Sequence, residues 1–267
     1  STTNLLRNPH LLPDGMYTLP GRDNMRVPKE YVFEFTEGEF IDTSPTGKST
    51  KPPEMTFRAA DGRPGTEMLP PEEVVLYLAP GVETVYHVFK GWGVQHWWLY
   101  QQTALPQGRY RLSVELYPDI YFADEVTNVR VWAPDPLSGE WQLFSSNASQ
   151  GWLSGGTTLP LGVPPRDQFG RWVALAHEFE HGGGETTVGL KVRARYGVDV
   201  VGFFIRSFSL VVVGGTVPPP TPTPGNLGAK LDLLMTTALE IKVLMVEGQA
   251  DAQDIVDGAT GLKNKFG

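Results

Sequence analysis

Cysteine is absent from this chain of 267 residues. No disulfide can form and no thiolate can hold a metal, so cysteine usage says nothing about the redox compartment. Also missing is any apolar run near the 18–20 residues that a membrane-spanning helix needs. The opening STTNLLRNPHLLPDG is polar and broken by proline, so it lacks the apolar centre of an export signal. Either a signal peptide has been removed or the chain is made without one. Ser1, a residue at which an initiator methionine is commonly removed, favours the second. Positive charge is scarce too: 22 Lys and Arg face 30 Asp and Glu, for a net charge of −8. That balance gives no electrostatic case for nucleic acid.

Turn-forming residues are plentiful, with 30 Gly and 23 Pro, and apolar residues make up 40%. This composition suits an all-β protein with many turns and a real core. Short alternating runs recur along residues 1–213: EYVFEFTEGEF (30–40), EVVLYLAPG (73–81), TVYHVFKGWG (84–93), QHWWLYQQTAL (95–105) and RYRLSVELYP (109–118). They continue as NVRVWAP (128–134), EWQLFSS (140–146), RWVALAHEFEH (171–181), TTVGLKVRARY (186–196) and VGFFIRSFSLVVV (201–213). Strand-like runs about every 10–15 residues, with Gly or Pro between them, predict a two-sheet β-sandwich.

The composition changes after GGTVPPPTPTPG (214–225), where five prolines in eight positions favour an extended, semi-rigid spacer. Residues 226–267 contain no Pro, Trp or Tyr. Leu227, Leu231, Leu234, Ala238, Ile241 and Met245 fall at alternating steps of four and three, a heptad seam with Asn226 as its cap. The expected domains are therefore a sandwich (1–213), a linker (214–225) and a helical segment (226–267). So apolar a helix must be covered. It either packs on its own sandwich or self-associates, and the rigid spacer favours self-association, with a trimer preferred.

HEFEHGGGE (177–185) matches the zinc-protease pattern H-E-x-x-H. Two histidines four apart share one metal on a helix, where they stand about 6 Å apart, but not on a strand, where they stand about 13 Å apart. Here Val173, Leu175, His177 and Phe179 alternate with Trp172, Ala174, Ala176 and Glu178. The segment is expected to be a strand, the glycines a hairpin turn, and Glu178 and Glu180 solvent-facing carboxylates. No catalytic residue and no metal ligand is assigned. A two-carboxylate glycosidase is the remote alternative, with nothing in the spacing to select a pair.

The richest stretch is KGWGVQHWWLYQQ (90–102). Alternation puts His96, Trp98, Tyr100 and Gln102 on one face and Gln95, Trp97, Leu99 and Gln101 on the other, and one face must be core. Pyranose rings stack their C–H faces on indoles while flanking Gln, His or Arg groups bond the hydroxyls. The candidate glycan-binding residues are Trp92, His96, Trp97, Trp98, Tyr100, Gln102, Trp132 and Trp152. The alternative is that the tryptophans simply fill the interior.

YQQTALPQGRYRLSVELYP, RWVALAHEFEHGGGETTVGLKVRARY, VGFFIRSFSLVVV and NLLRNPHLL, in their order along residues 4–213, resemble segments of jelly-roll carbohydrate-binding modules of the family 4/22 type. The resemblance implies a β-jelly roll, a strand at NLLRNPHLL, glycans bound on the concave sheet or at the loops, and often a structural calcium. Pro9-His10 and Arg206-Ser207 stand where that family usually has acidic ligands, which puts the calcium in doubt. No other cofactor is expected. The functional expectation is a non-enzymatic attachment or assembly protein on the cell exterior or a virion surface. It would bind a glycan or particle as a homo-oligomer joined by the helix, with phage decoration or fibre protein as a possible setting. The alternative is a carbohydrate-binding module of a secreted or surface glycan-degrading system.

Overall fold

The computed structural model describes residues 3–40, 49–127, 129–132, 138–154, 169–195 and 198–213. The linker and the heptad segment, including Leu227, Leu231, Leu234, Ala238, Ile241 and Met245, lie outside the described residues.

The elements are β1 (Tyr17–Leu19), β2 (Arg22–Val27), β3 (Val32–Phe35), β4 (Glu54–Ala59), β5 (Glu67–Met68), α1 (Pro71–Tyr77) and β6 (Thr84–Lys90). They continue with β7 (Gln95–Ala123), β8 (Arg130–Trp132), β9 (Glu140–Ser145), β10 (Ala148–Ser149), β11 (Leu153–Ser154), β12 (Val173–Ala194) and β13 (Val200–Val212). Strands pair in the order β1-β2-β4-β6-β13-β7-β12-β9-β10, with β3 and β8 on β7, β5 on β4 and β11 on β9. The expected fold class, an all-β sandwich of the jelly-roll kind, is the one observed.

Two long strands build both layers. β7 and β12 run antiparallel in continuous register from Gln95↔Ala194 to Leu116↔Val173. The first part of β7 also pairs with β3, and the facing part of β12 pairs with β9, which makes one layer. The later part of β7 pairs with β13, and β6, β4 and β2 extend the second layer. The layers meet face to face: Trp97 packs edge-on against Phe203 at 5.8 Å, and Gln95 Nε2 donates to Val201 O at 2.6 Å. Trp97, Leu99, Trp141, Leu143, Leu190, Val192, Phe203 and Ile205 are fully buried between them.

The expected hairpin at residues 171–196 is therefore corrected, and so is the division of 95–118 into two strands. The register steps from Gly182↔Gln107 to Gly184↔Leu105, passing over Gly183 and Pro106. Pro106 has no N–H to give the ladder. Gly183 and Gly184 sit at φ 93° and 102°, where a side chain would be strained. Residues that usually end a strand here redirect one.

The structure makes two further corrections. The run at 73–81 is not a strand: Pro71 opens α1, Glu72 and Glu73 occupy its first turn, and the chain turns extended at Leu78. α1 covers the outer face of the second layer, where Tyr77 stacks on Phe204 at 3.7 Å. NLLRNPHLL is also not a strand, because Asn8 and Leu11 take positive φ. It is pinned instead at Asn4, whose side chain donates to Phe208 O and accepts from the Leu210 N–H at 3.0 Å.

Candidate functional site

Strand alternation divides QHWWLY between core and surface. Gln95, Trp97, Leu99 and Gln101 point inward and are buried; His96, Trp98 and Tyr100 point outward and are half-buried. Trp97 stacks on Phe33 at 5.5 Å, and its Nε1 donates to Gln95 Oε1 at 3.2 Å. It is a core residue and leaves the candidate set, because no sugar can reach it.

The outward residues meet two cations that the sequence reading missed. In the sheet, Trp98 lies opposite Lys191, and His96 lies opposite Arg193. The chain returns through β11, pairing Leu153 with Trp141, so that Trp152 comes to lie over β12. Lys191 Nζ stands 5.0 Å from the Trp98 ring centre and 5.1 Å from that of Trp152. The Arg193 guanidinium lies 4.1 Å from the Trp152 ring. The His96 ring packs 4.2 Å from Trp98 and 6.1 Å from Trp152. The site is thus two indoles, an imidazole and two cations on the outer face of the first layer. LKVRA carried the signal for the cations, two basic residues at i and i+2 on a strand, but only the register shows which aromatics they meet.

Two of the surrounding acids, Glu140 and Glu34, are engaged. Glu140, with its side chain 5% exposed, accepts both Nε and Nη2 of Arg193, at 2.7 and 3.0 Å. It also accepts Arg195 Nε at 2.6 Å. Tyr100 donates its phenol to Glu34 at 2.9 Å, and burial together with that carboxylate pushes the phenol up to about 12. Burial, reinforced by the Lys191 charge, pushes His96 down to about 4, so the imidazole is neutral at pH 7. Burial and then the Arg193 charge lower Lys191 from its ordinary value.

The other candidates are elsewhere. Gln102 is exposed farther along β7, in a hollow of about 210 Å³ shared with Ser146, Glu185, Thr186 and Thr187. Trp92 is 60% exposed in the turn between β6 and β7, where its backbone N–H bonds to Val198 O. Trp132 stands at the opposite end of β7, edge-on to Tyr121 at 5.7 Å.

HEFEH lies within β12. His177 and His181 share its inward face with Phe179, and Glu178 is held by Arg109 at 2.8 Å and Arg111 at 2.9 Å. The positions of the family's calcium do come together: His10, Arg206 and Ser207 line one cleft of about 280 Å³. They do not fit a cation, because Arg206 brings its own charge, which is paired with Glu115 at 2.9 Å and stacked on Trp172 at 3.9 Å. Among the described residues no group of three or more His, Asp or Glu is arranged around a common metal position.

The solved structures similar to this chain include carbohydrate-binding proteins. One is TmCBM61 in complex with β-1,4-galactotriose, at 13% identity and a TM-score of 0.41, covering 79% of this chain and all of that one. Another is the Clostridium thermocellum Xyn10B CBM22-1-GH10 modules complexed with xylohexaose, at 11% identity and a TM-score of 0.30, covering 68% of this chain and 32% of that one. A third is the enzymatically active domain of the bacteriophage CBA120 tailspike protein 4, at 8% identity and a TM-score of 0.35, covering 69% of this chain and 20% of that one. A scan against protein-family models and a search of curated proteins return no match.

Proposed function

We propose that this chain is a non-enzymatic glycan-binding protein whose sugar face is the outer side of the first layer. Trp98 and Trp152 are its stacking surfaces, and His96, Tyr100 and Lys191 are their polar neighbours. The observation that carries this reading is the half-buried indole pair, with Trp98 on a strand held on both edges by β3 and β12. Aromatic rings fixed on a rigid sheet, with polar groups beside them, suit a ligand that is apolar on one side and hydroxylated at its rim. The carboxylates described on this face support binding over hydrolysis: Glu140 is taken up by two arginines and Glu34 by Tyr100, which leaves Glu39 without a second free carboxylate beside it. A glycosidase needs a pair of carboxyl groups free to work on either side of a glycosidic bond.

The reading extends to display. The heptad seam at residues 227–245 gathers several copies, three by preference, so that avidity lifts a weak single site, on a cell exterior or a virion surface. A glycan array of the full chain beside Trp98→Ala and Trp152→Ala tests the sugar face, and both variants are expected to lose the signal. Light scattering of the full chain against a chain ending at residue 213 tests display. Assembly that persists without the tail sinks the tether.

A further inference from the structure

The cations of the sugar face differ in what they are bound to. Arg193 and Arg195 are both anchored on Glu140, whose side chain is 5% exposed, so each has a carboxylate at ion-pair distance. Lys191 has no such anchor. The faces of Trp98 and Trp152 lie 5.0 and 5.1 Å from it, and the Glu39 carboxylate acts on it only from beyond ion-pair distance. His96, which pairs with Glu39 at 3.8 Å in the same layer, carries no full charge at pH 7. A half-buried ammonium flanked by two indoles has given up water without gaining a carboxylate at ion-pair distance among the described residues, and the aromatic faces return only part of that loss. Burial and then the Arg193 charge lower its pKa, and the more distant Glu39 offsets only part of that. An anion delivered by the ligand restores what is missing, and the indoles are placed to hold the ring that carries it.

We infer that the sugar site takes a glycan bearing an anionic substituent, a carboxylate or a sulfate, which docks on Lys191 Nζ while its pyranose ring stacks on Trp98 or Trp152. This rests on the glycan-binding reading. It goes further by naming the substrate class and by making Lys191 the residue that selects it. A charge-assisted contact of this kind distinguishes acidic from neutral ligands by about tenfold or more.

The test uses the full chain on an array in which uronate-containing and sulfated glycans are printed beside neutral counterparts of the same backbone. Titration then follows with the preferred pair, for example polygalacturonate and its methyl ester. The expected result is a preference for the acidic member of about tenfold or more, which shrinks in added salt. Lys191→Met, which keeps the apolar stem, loses that preference, so that it binds the acidic and neutral members alike. Lys191→Arg keeps the preference, which separates charge from any effect on folding. Preference for uronates assigns the carboxylate and preference for sulfated glycans assigns the sulfate; either supports the inference. Equal binding of acidic and neutral members, or an undiminished preference in Lys191→Met, overturns it and leaves the glycan-binding reading standing. An array with no signal on any glycan overturns both.

Discussion

Trp97 and Trp98 are adjacent in sequence and belong to opposite sides of one sheet. Trp97 is fully buried against Phe33 and Phe203, while Trp98 faces outward against His96 and Lys191. Their substitutions should therefore separate stability from binding. Trp97→Ala is expected to cost about 3–5 kcal/mol, the range for deleting a large core aromatic. Trp98→Ala should cost about 1 kcal/mol or less yet weaken sugar binding about thirtyfold. Urea denaturation of both variants, each paired with a glycan titration, checks the contrast.

Glu140 is expected to be the structural centre of the cationic rung. With its side chain 5% exposed, it holds both Arg193 and Arg195. Removing one partner of a buried pair leaves charge without compensation, so Glu140→Gln should cost about 3 kcal/mol. A thermal melt should show the loss, and it should persist in high salt, because buried pairs are screened little. A loss that disappears at high ionic strength would instead mark the rung as a surface interaction.

Gly189 lies opposite Tyr100, and a Cβ there would stand 2.4 Å from Leu99 O and 2.5 Å from Tyr100 Cβ. The backbone would have to part from β7 within the proposed sugar face. Gly189→Ala should cost about 1–3 kcal/mol and weaken glycan binding even though it removes no ligand contact. Chemical denaturation and the same glycan titration measure the two effects. Full stability in that variant would mean the strands separate more easily than their register implies.

Two buried groups should give the fold opposing pH dependences. His87 lies flat on Phe204, with ring centres 4.0 Å apart, and burial, aided by the Arg58 charge, pushes it from 6.5 to about 3. Below pH 6.5 the unfolded chain takes up a proton that the folded chain refuses. Its contribution is therefore full above 6.5 and lost as pH falls toward 3. Asp119 acts in reverse: burial raises its carboxyl from 3.8 to about 7 despite Arg130 at 3.3 Å. The folded chain holds that proton more tightly, so the contribution is present below about 4 and lost as pH rises to 7. His87→Phe, which keeps the stacking, should lose less stability than wild type between pH 6.5 and 4. Asp119→Asn should remove the component lost between pH 4 and 7. Denaturation midpoints across pH 4–8 read both slopes, and unchanged slopes would assign the pH dependence to other groups.

Alternation made the outward set His96, Trp98 and Tyr100 legible in the sequence, but not which face was core. That choice depends on Phe203 and Val201, about a hundred residues away, which close the layer over Trp97 and Gln95. The long strands were hidden because Pro106 and Gly182–Gly184 are turn residues by any local rule, and only the mutual register of β7 and β12 carries the chain through them. α1 was misread from the apolar run VVLYL, although Pro70-Pro71-Glu72-Glu73 before it is a helix-start pattern. Lys191 and Arg193 could be placed on a strand from sequence, but their meeting with Trp98 and Trp152 arises from pairing across the sheet.

The central claim is that the indole pair on the first layer binds sugar. The measurement that tests it most directly is the affinity of Trp98→Ala, relative to wild type, for the strongest glycan on the array. Trp92→Ala serves as an exposed-tryptophan control from outside that face. Loss of a central aromatic contact is worth roughly 2 kcal/mol, about thirtyfold in affinity. The account predicts that loss for Trp98→Ala, with its melting temperature lowered by no more than a few degrees and Trp92→Ala binding normally. Unchanged affinity in a folded Trp98→Ala protein would contradict it.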